Sequence, residues 1–227
     1  WLKLCLKIFR PVRVNGRIVF ACDGIKAPKE GRRMPSVKLC HQSSTNNSKP
    51  EYVMAHSMQM LALMVEGFGN KISAILIGAR IHEGLKWSNR DHRTLLDKMN
   101  DMFKRVVEDS GEKILLVADA YYASAALLDS MCDQGATMLV RVRNNAVGYK
   151  PAKTKKNPGR GRPQKYGERI EIFSLFKSRA KYFTEIPSPI RGEASIRTRY
   201  LDVTLLWKQY QDKVRFILSD HPTRGQF

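Results

Sequence analysis

The sequence predicts an α/β domain built on a central sheet. Two observations carry that expectation. Along the first 145 residues the segments run in the order strands, helix, strand, helix, strand, the pattern of helices packed on a sheet. One of the strands, "KILLVAD" ending at Asp119, is a continuous apolar run without polar alternation, the mark of a strand buried on both faces.

Each element has a local reason. "VNGRIVFACDG" places an Asn15-Gly16 turn before an apolar strand expected to stop at Asp23. Residues 26–51 mix Pro, Gly, Ser and Asn with many cations and read as a long exposed excursion without an assigned role. The stretch from Tyr52 to Gly84 is broken by Gly67, Gly69 and Asn70. Its Met- and Leu-rich first half also suits a helix, but the compact break favours a hairpin. In "DHRTLLDKMNDMFKRVVEDSG" the apolar residues recur at helical spacing and Gly111 supplies the stop. A short helix from Ser124 to Gln134 ends before Gly135, and "ATMLVRVRNN" follows as a strand. After Asn145 the chain turns basic and rich in Pro and Gly, with strand-like runs "ERIEIFSLF", "TRYLDVTLLW" and "VRFILSD". Residues 1–145 are therefore expected to form the core domain and 146–227 a basic, β-rich region.

Charge narrows the function. The 227 residues carry 40 Lys and Arg against 21 Asp and Glu, a formal charge of +19, which favours a polyanionic partner, nucleic acid first. Between Lys150 and Lys181 there are 11 Lys and Arg against two acids, a candidate contact for that partner. Cys5, Cys22, Cys40 and Cys132 form no CxxC pair, which points to a reducing compartment rather than a zinc ribbon or disulfide framework. No apolar run approaches the roughly 18 residues of a membrane span. The five histidines lack metal-ligand spacing, and no phosphate-loop, nucleophile-elbow or dinucleotide fingerprint is present. The chain opens on Trp1 rather than Met and is expected to be part of a longer protein.

Asp23 and Asp119 are the candidate site. If their strands are neighbours, both carboxylates leave the same sheet edge and repel unless a cation lies between them. Mg²⁺ takes one or two carboxylates plus substrate phosphates, so such a pair suits metal-assisted phosphodiester chemistry. The competing reading makes Asp119 a helix N-cap. Arg141 and Arg143 alternate with valines and are expected on one side of a strand near the site, facing phosphate or solvent. Tyr121, Tyr122 and Ser124 open a helix, with packing or phosphate hydrogen bonding as their expected role.

The segments "RIVFACDGIK", "LLVADAYYAS", "MLVRVRNNAVGY" and "GRGRPQKYGERIEIFSLF" resemble the DDE-type transposases of bacterial insertion sequences, in the cut-and-paste group with a β-stranded insertion. The resemblance covers about residues 17–220. It implies a ribonuclease H-like mixed sheet flanked by helices, with a β-rich insertion after the fifth strand. It implies Asp23 and Asp119 as the first two catalytic acids, holding two Mg²⁺ or Mn²⁺ ions for DNA cleavage and strand transfer. The family's third acid is a Glu on a helix after the inserted strands. No segment here matches it, so that Glu is expected beyond Phe227 or the gene is a remnant, with Asp220 a weaker substitute. The implied partners are double-stranded DNA, as transposon ends and target, and a second copy of the chain on that DNA. The implied location is the bacterial cytoplasm at the nucleoid, with no membrane. "PGRGRPQK" resembles an AT-hook core, which makes Arg160, Arg162 and Lys165, with Lys155 and Lys156, candidate DNA contacts; a solvated basic linker is the alternative. The rival function is a non-catalytic DNA-binding remnant or domesticated transposase that uses residues 150–181.

Overall fold

The computed structural model describes residues 1–31, 34–41, 50–82, 93–153, 164–188, 195–207, 213–221 and 225–226. The chain divides into two compact units, Trp1–Arg141 and Val142–Phe227.

The first unit opens with helix α1 (Leu2–Ile8) and a short strand β1 (Arg13–Val14). Asn15 and Gly16 then take φ of 49° and 74°, as a two-residue hairpin turn with left-handed central residues requires. They lead into β2 (Arg17–Pro28), which is followed by β3 (Lys38–His41), β4 (Tyr52–Glu66) and β5 (Ile72–His82). The hairpin expected across Gly67–Asn70 is present: β4 and β5 pair antiparallel from Glu66↔Ile72 to Ser57↔His82. Helix α2 (Leu95–Ser110) begins at a capping box, with Thr94 Oγ1 accepting from Asp97 N at 3.2 Å and the Asp97 carboxylate accepting from Thr94 N. It ends at Gly111 in the left-handed region, φ 62°. Then come β6 (Ile114–Ala118), α3 (Ala125–Asp133) and β7 (Thr137–Val140).

The central sheet order is β5-β4-β2-β6-β7, with β3 also on β4 and β1 on β2. Pairings among β2, β4 and β5 are antiparallel, whereas β2–β6 and β6–β7 are parallel. Alternate residues Ile18, Phe20 and Cys22 join Leu61, Leu63, Ile114 and Leu116 in one core cluster. Residues of α1, α2 and α3 complete that cluster, so these helices cover one face of the sheet.

Three expectations for this unit need correction. The first strand does not stop at Asp23. It stays paired with β4 as far as Pro28↔Ala55, because the antiparallel partner continues after the parallel one has left. Residues 26–51 are not a single excursion, since they contain the end of β2 and all of β3, which pairs with β4. The strand after α3 is only four residues long. Its ladder partner β6 ends at Ala118, so Arg141 and Arg143 lie past the strand instead of on it.

The second unit holds a sheet of order β13-β12-β11-β8-β9, with β10 on β11. Its strands are β8 (Val147–Pro151), β9 (Tyr166–Glu171), β10 (Thr184–Pro187), β11 (Arg197–Leu206), β12 (Lys213–His221) and β13 (Gly225–Gln226). The last two apolar runs named from sequence are β11 and β12. "ERIEIFSLF" is only half strand: after Glu171 it coils into a turn and the short helix α4 (Leu175–Ser178). The spacing explains this, because Ile172, Leu175 and Phe176 lie at i, i+3 and i+4 and enter one core with Leu201, Leu205, Phe216 and Leu218. The segment "VGYKP", at the start of the stretch read from sequence as basic and rich in Pro and Gly, forms β8 and pairs with β9.

Candidate active site

The site grows from the register of two parallel strands. Ile18 pairs with Ile114, and the ladder proceeds in step to Cys22 and Ala118. The next residues on the two strands are Asp23 and Asp119, on neighbouring strands whose ordinary spacing is about 4.8 Å. Here the strands part. β2 continues along β4, with Asp23 opposite Met60, while β6 turns away into a single helical turn, Ala120–Tyr122. Both aspartates are exposed at the carboxyl end of the parallel pair, where open α/β sheets commonly bind ligands.

Each carboxylate is oriented by backbone. Asp23 Oδ1 accepts from Gly24 N at 2.7 Å, and Asp119 Oδ1 accepts from Tyr121 N at 3.0 Å. Asp119 is thus the cap of the turn it opens, as one reading of the sequence has it, and it also stands beside Asp23.

Beneath the pair lies a buried support made by Tyr122, for which the sequence suggests a packing role, and Gln59, which the sequence reading did not single out. Tyr122, 1% exposed, donates its hydroxyl to Oε1 of Gln59, 2% exposed, on β4. Gln59 pairs with Gly24, and a Cβ at that glycine would sit 3.2 Å from the Gln59 amide nitrogen. Gly24 therefore leaves the space through which Gln59 reaches the turn. A signal existed in the sequence: Gln59 is a polar residue set between Met58 and Met60, at an inward position of β4.

The electrostatics agree with this proximity. Burial pushes the Cys22 thiol up to about 12, with the charges of Asp119 and Asp23 adding to the effect. The Tyr122 phenol is raised by burial first, and then by Cys22, Asp23 and Asp119. Tyr121 is raised by burial and by Asp119. Both carboxylates therefore act on the same buried thiol and phenol, which stay protonated near neutrality.

Of the remaining candidates, only Arg141 belongs to the same unit as the two aspartates, and it follows Val140, the ladder partner of Ala118. Arg141 follows β7, and its backbone N–H donates to Ala118 O at 3.3 Å; its exposed side chain is in the first unit, and Arg143 is in the second. Lys165 lies beside Tyr166, with Nζ 5.9 Å from the ring centre. Lys155, Lys156, Arg160 and Arg162 lie outside the described residues. Among the described residues no group of three or more His, Cys, Asp or Glu is placed to hold a metal ion, and no helix is long and apolar enough to cross a membrane.

A family model described as DDE superfamily endonuclease matches residues 3–191. The chain belongs to this family. No curated protein matches it. The match takes in the whole of the Asp23 and Asp119 region and runs through β10 into the second unit. DDE endonucleases act on DNA and typically use divalent metal ions, which agrees with a +19 chain. Two exposed, hard carboxylates on adjoining strands also fit a divalent ion, which needs only one or two protein oxygens besides its substrate.

Proposed function

We propose that the chain is the catalytic portion of a DNA transposase that hydrolyses phosphodiester bonds at transposon ends and joins the freed ends to target DNA. The observation that carries this reading is the register that makes Asp23 and Asp119 neighbours where β6 leaves the sheet. The order β5-β4-β2-β6-β7, with its antiparallel and parallel halves, supports a ribonuclease H-like core. On this reading residues 1–145 are that core and 146–227 a basic, β-rich insertion after its fifth strand. The cut-and-paste bacterial group, a homodimer on DNA and a location at the nucleoid belong to the same proposal.

Asp23 and Asp119 would hold Mg²⁺ or Mn²⁺, two ions in the active complex. Bound there, such ions activate water and stabilise the leaving oxygen of an in-line displacement. The chain's own residues do the rest. Its cationic surface gathers the polyanion, and the Tyr122–Gln59 bond fixes the turn that carries Asp119. The protonated Cys22 and Tyr122 offer no competing nucleophile below the site. In strand transfer the 3′-hydroxyl of the cleaved end replaces water as attacking group, without a covalent enzyme intermediate. A second reading, a non-catalytic DNA-binding chain, is favoured by the +19 charge alone, since backbone binding needs only charge.

Calorimetric titration of Mn²⁺ into the chain and its Asp23→Asn and Asp119→Asn variants tests the proposal. The amide oxygen of Asn can still accept from Tyr121 N, so the cap survives while the charge is lost. Mn²⁺ binding is expected in the parent and lost in both variants, together with Mn²⁺-dependent nicking of DNA but not DNA affinity. Nicking that survives either change would sink the metal-site assignment and leave the binding reading.

A further inference from the structure

The second unit contains a groove of about 480 Å³ between the β8–β9 pair and α4. Its wall brings Lys150, Arg169 and Arg179 together with the carboxylates of Glu168 and Glu171. Lys150 Nζ meets Glu168 Oε2 at 2.5 Å, and Arg169 Nη1 meets Glu171 Oε1 at 2.8 Å. Glu168 has more than one cation: hydrogen bonding and charge from Lys150 hold its carboxyl below the usual range, with Arg179 and Lys153 adding to the effect. Three cations thus converge on one exposed carboxylate. The Ser174 and Ser178 hydroxyls also line the groove, one helical turn apart. Each donates to a backbone carbonyl, Glu171 O at 2.7 Å and Ser174 O at 3.1 Å, and each can turn outward to an oxyanion.

We infer that this groove seats a backbone phosphate of duplex DNA on Lys150 and Arg179, and that Glu168 occupies the phosphate's place when DNA is absent. The inference rests on the DNA-directed reading of the chain and locates one contact of its second unit. Two features make the exchange chemically sensible. Exposed ion pairs contribute little to stability, so Glu168 is a weak occupant. A phosphate brings the same charge with more acceptor oxygens, and its counterions are released on binding. Glu168 therefore acts as a resident competitor that lowers affinity and is displaced as DNA enters.

The test is fluorescence anisotropy of a short labelled duplex with the full chain, in EDTA, between about 50 and 200 mM salt. The Lys150→Gln/Arg179→Gln variant is expected to bind more weakly, its log–log salt slope flattened by about 0.9 for each phosphate that is no longer neutralised. Glu168→Gln is expected to tighten binding about threefold or more, since it removes a like charge facing the phosphate. Lys104→Gln/Arg105→Gln and Glu108→Gln, on exposed positions of α2, make the same charge changes elsewhere and are expected to have smaller effects. Equal effects in the two sets would overturn the groove and leave DNA binding by net charge. So would a Glu168→Gln variant that binds no more tightly. A parent chain that fails to bind the duplex would overturn the DNA reading itself. Circular dichroism melts that match the parent verify that each variant is folded.

Discussion

The bond from Tyr122 to Gln59 is the sharpest point at which the proposed site can be tested through stability. Tyr122→Phe keeps the ring and removes the hydroxyl, so Gln59 Oε1 loses its donor at a position only 2% exposed. An unsatisfied buried acceptor costs about 1–3 kcal/mol, here about 2 because the residue is almost fully enclosed. For a domain of this size that lowers the melting temperature by about 4–8 °C. Gln59→Met should cost a similar amount, since it leaves the phenol hydroxyl unpaired instead. The double variant Tyr122→Phe/Gln59→Met removes both polar partners and keeps the shape, which is close to neutral. Urea unfolding of the four proteins, read as a double-mutant cycle, should therefore return a coupling energy of about 4 kcal/mol in magnitude, the sum of the two single losses that the double variant does not show. If the two single losses simply add, the hydrogen bond does not hold the Asp119 turn and the supporting role assigned to Gln59 is wrong. The same cycle should show weaker Mn²⁺ binding in Tyr122→Phe than in the parent, because a loosened turn no longer fixes Asp119.

Two further outcomes follow from the same geometry. The Cys22 thiol keeps its proton up to about 12 in the fold, against 9.0 for the ordinary thiol. Above the ordinary value the unfolded chain releases a proton that the folded chain retains, so stability from this group is intact below pH 9 and falls as pH rises toward 12. Its share amounts to about 1.4 kcal/mol in all between about pH 8 and 10; Cys22→Ala should remove that share, measured as the urea midpoint over the same range. Gly111→Ala places a Cβ at φ 62° with nothing within 4 Å, so strain is the only effect, and a loss of about 1 kcal/mol is expected in thermal unfolding. No loss would mean that α2 ends differently in solution.

Much of the first unit was legible because its signals are local. The Asn15-Gly16 turn, the β4–β5 hairpin, the capped and amphipathic α2 and the buried run of β6 each depend on residues a few positions apart. Where the reading erred, a distant partner decided the outcome. β2 runs past Asp23 because β4 is there to receive its hydrogen bonds. β7 stops at Val140 because β6 has already left the sheet, and that removes Arg141 and Arg143 from the strand. In the second unit the helical turn after Glu171 has a local signal, the i, i+3 and i+4 spacing of Ile172, Leu175 and Phe176, but the core on β11 and β12 that these residues enter lies far along the chain.

The sequence by itself determined the class of the fold, the net charge of +19 that favours a polyanionic partner and the two aspartates that follow apolar segments. These follow from composition and from the two periodicities of helix and strand, which are properties of the chain alone. Only the tertiary structure decided that Asp23 and Asp119 are neighbours, that Gln59 and Tyr122 lock the turn between them, and that Lys150, Glu168 and Arg179 share a groove. Strand register and side-chain convergence depend on pairings between residues far apart in the chain. In the first unit the physical cause is the burial of one sheet face under three helices, which selects a single register out of many that the local sequence would accept.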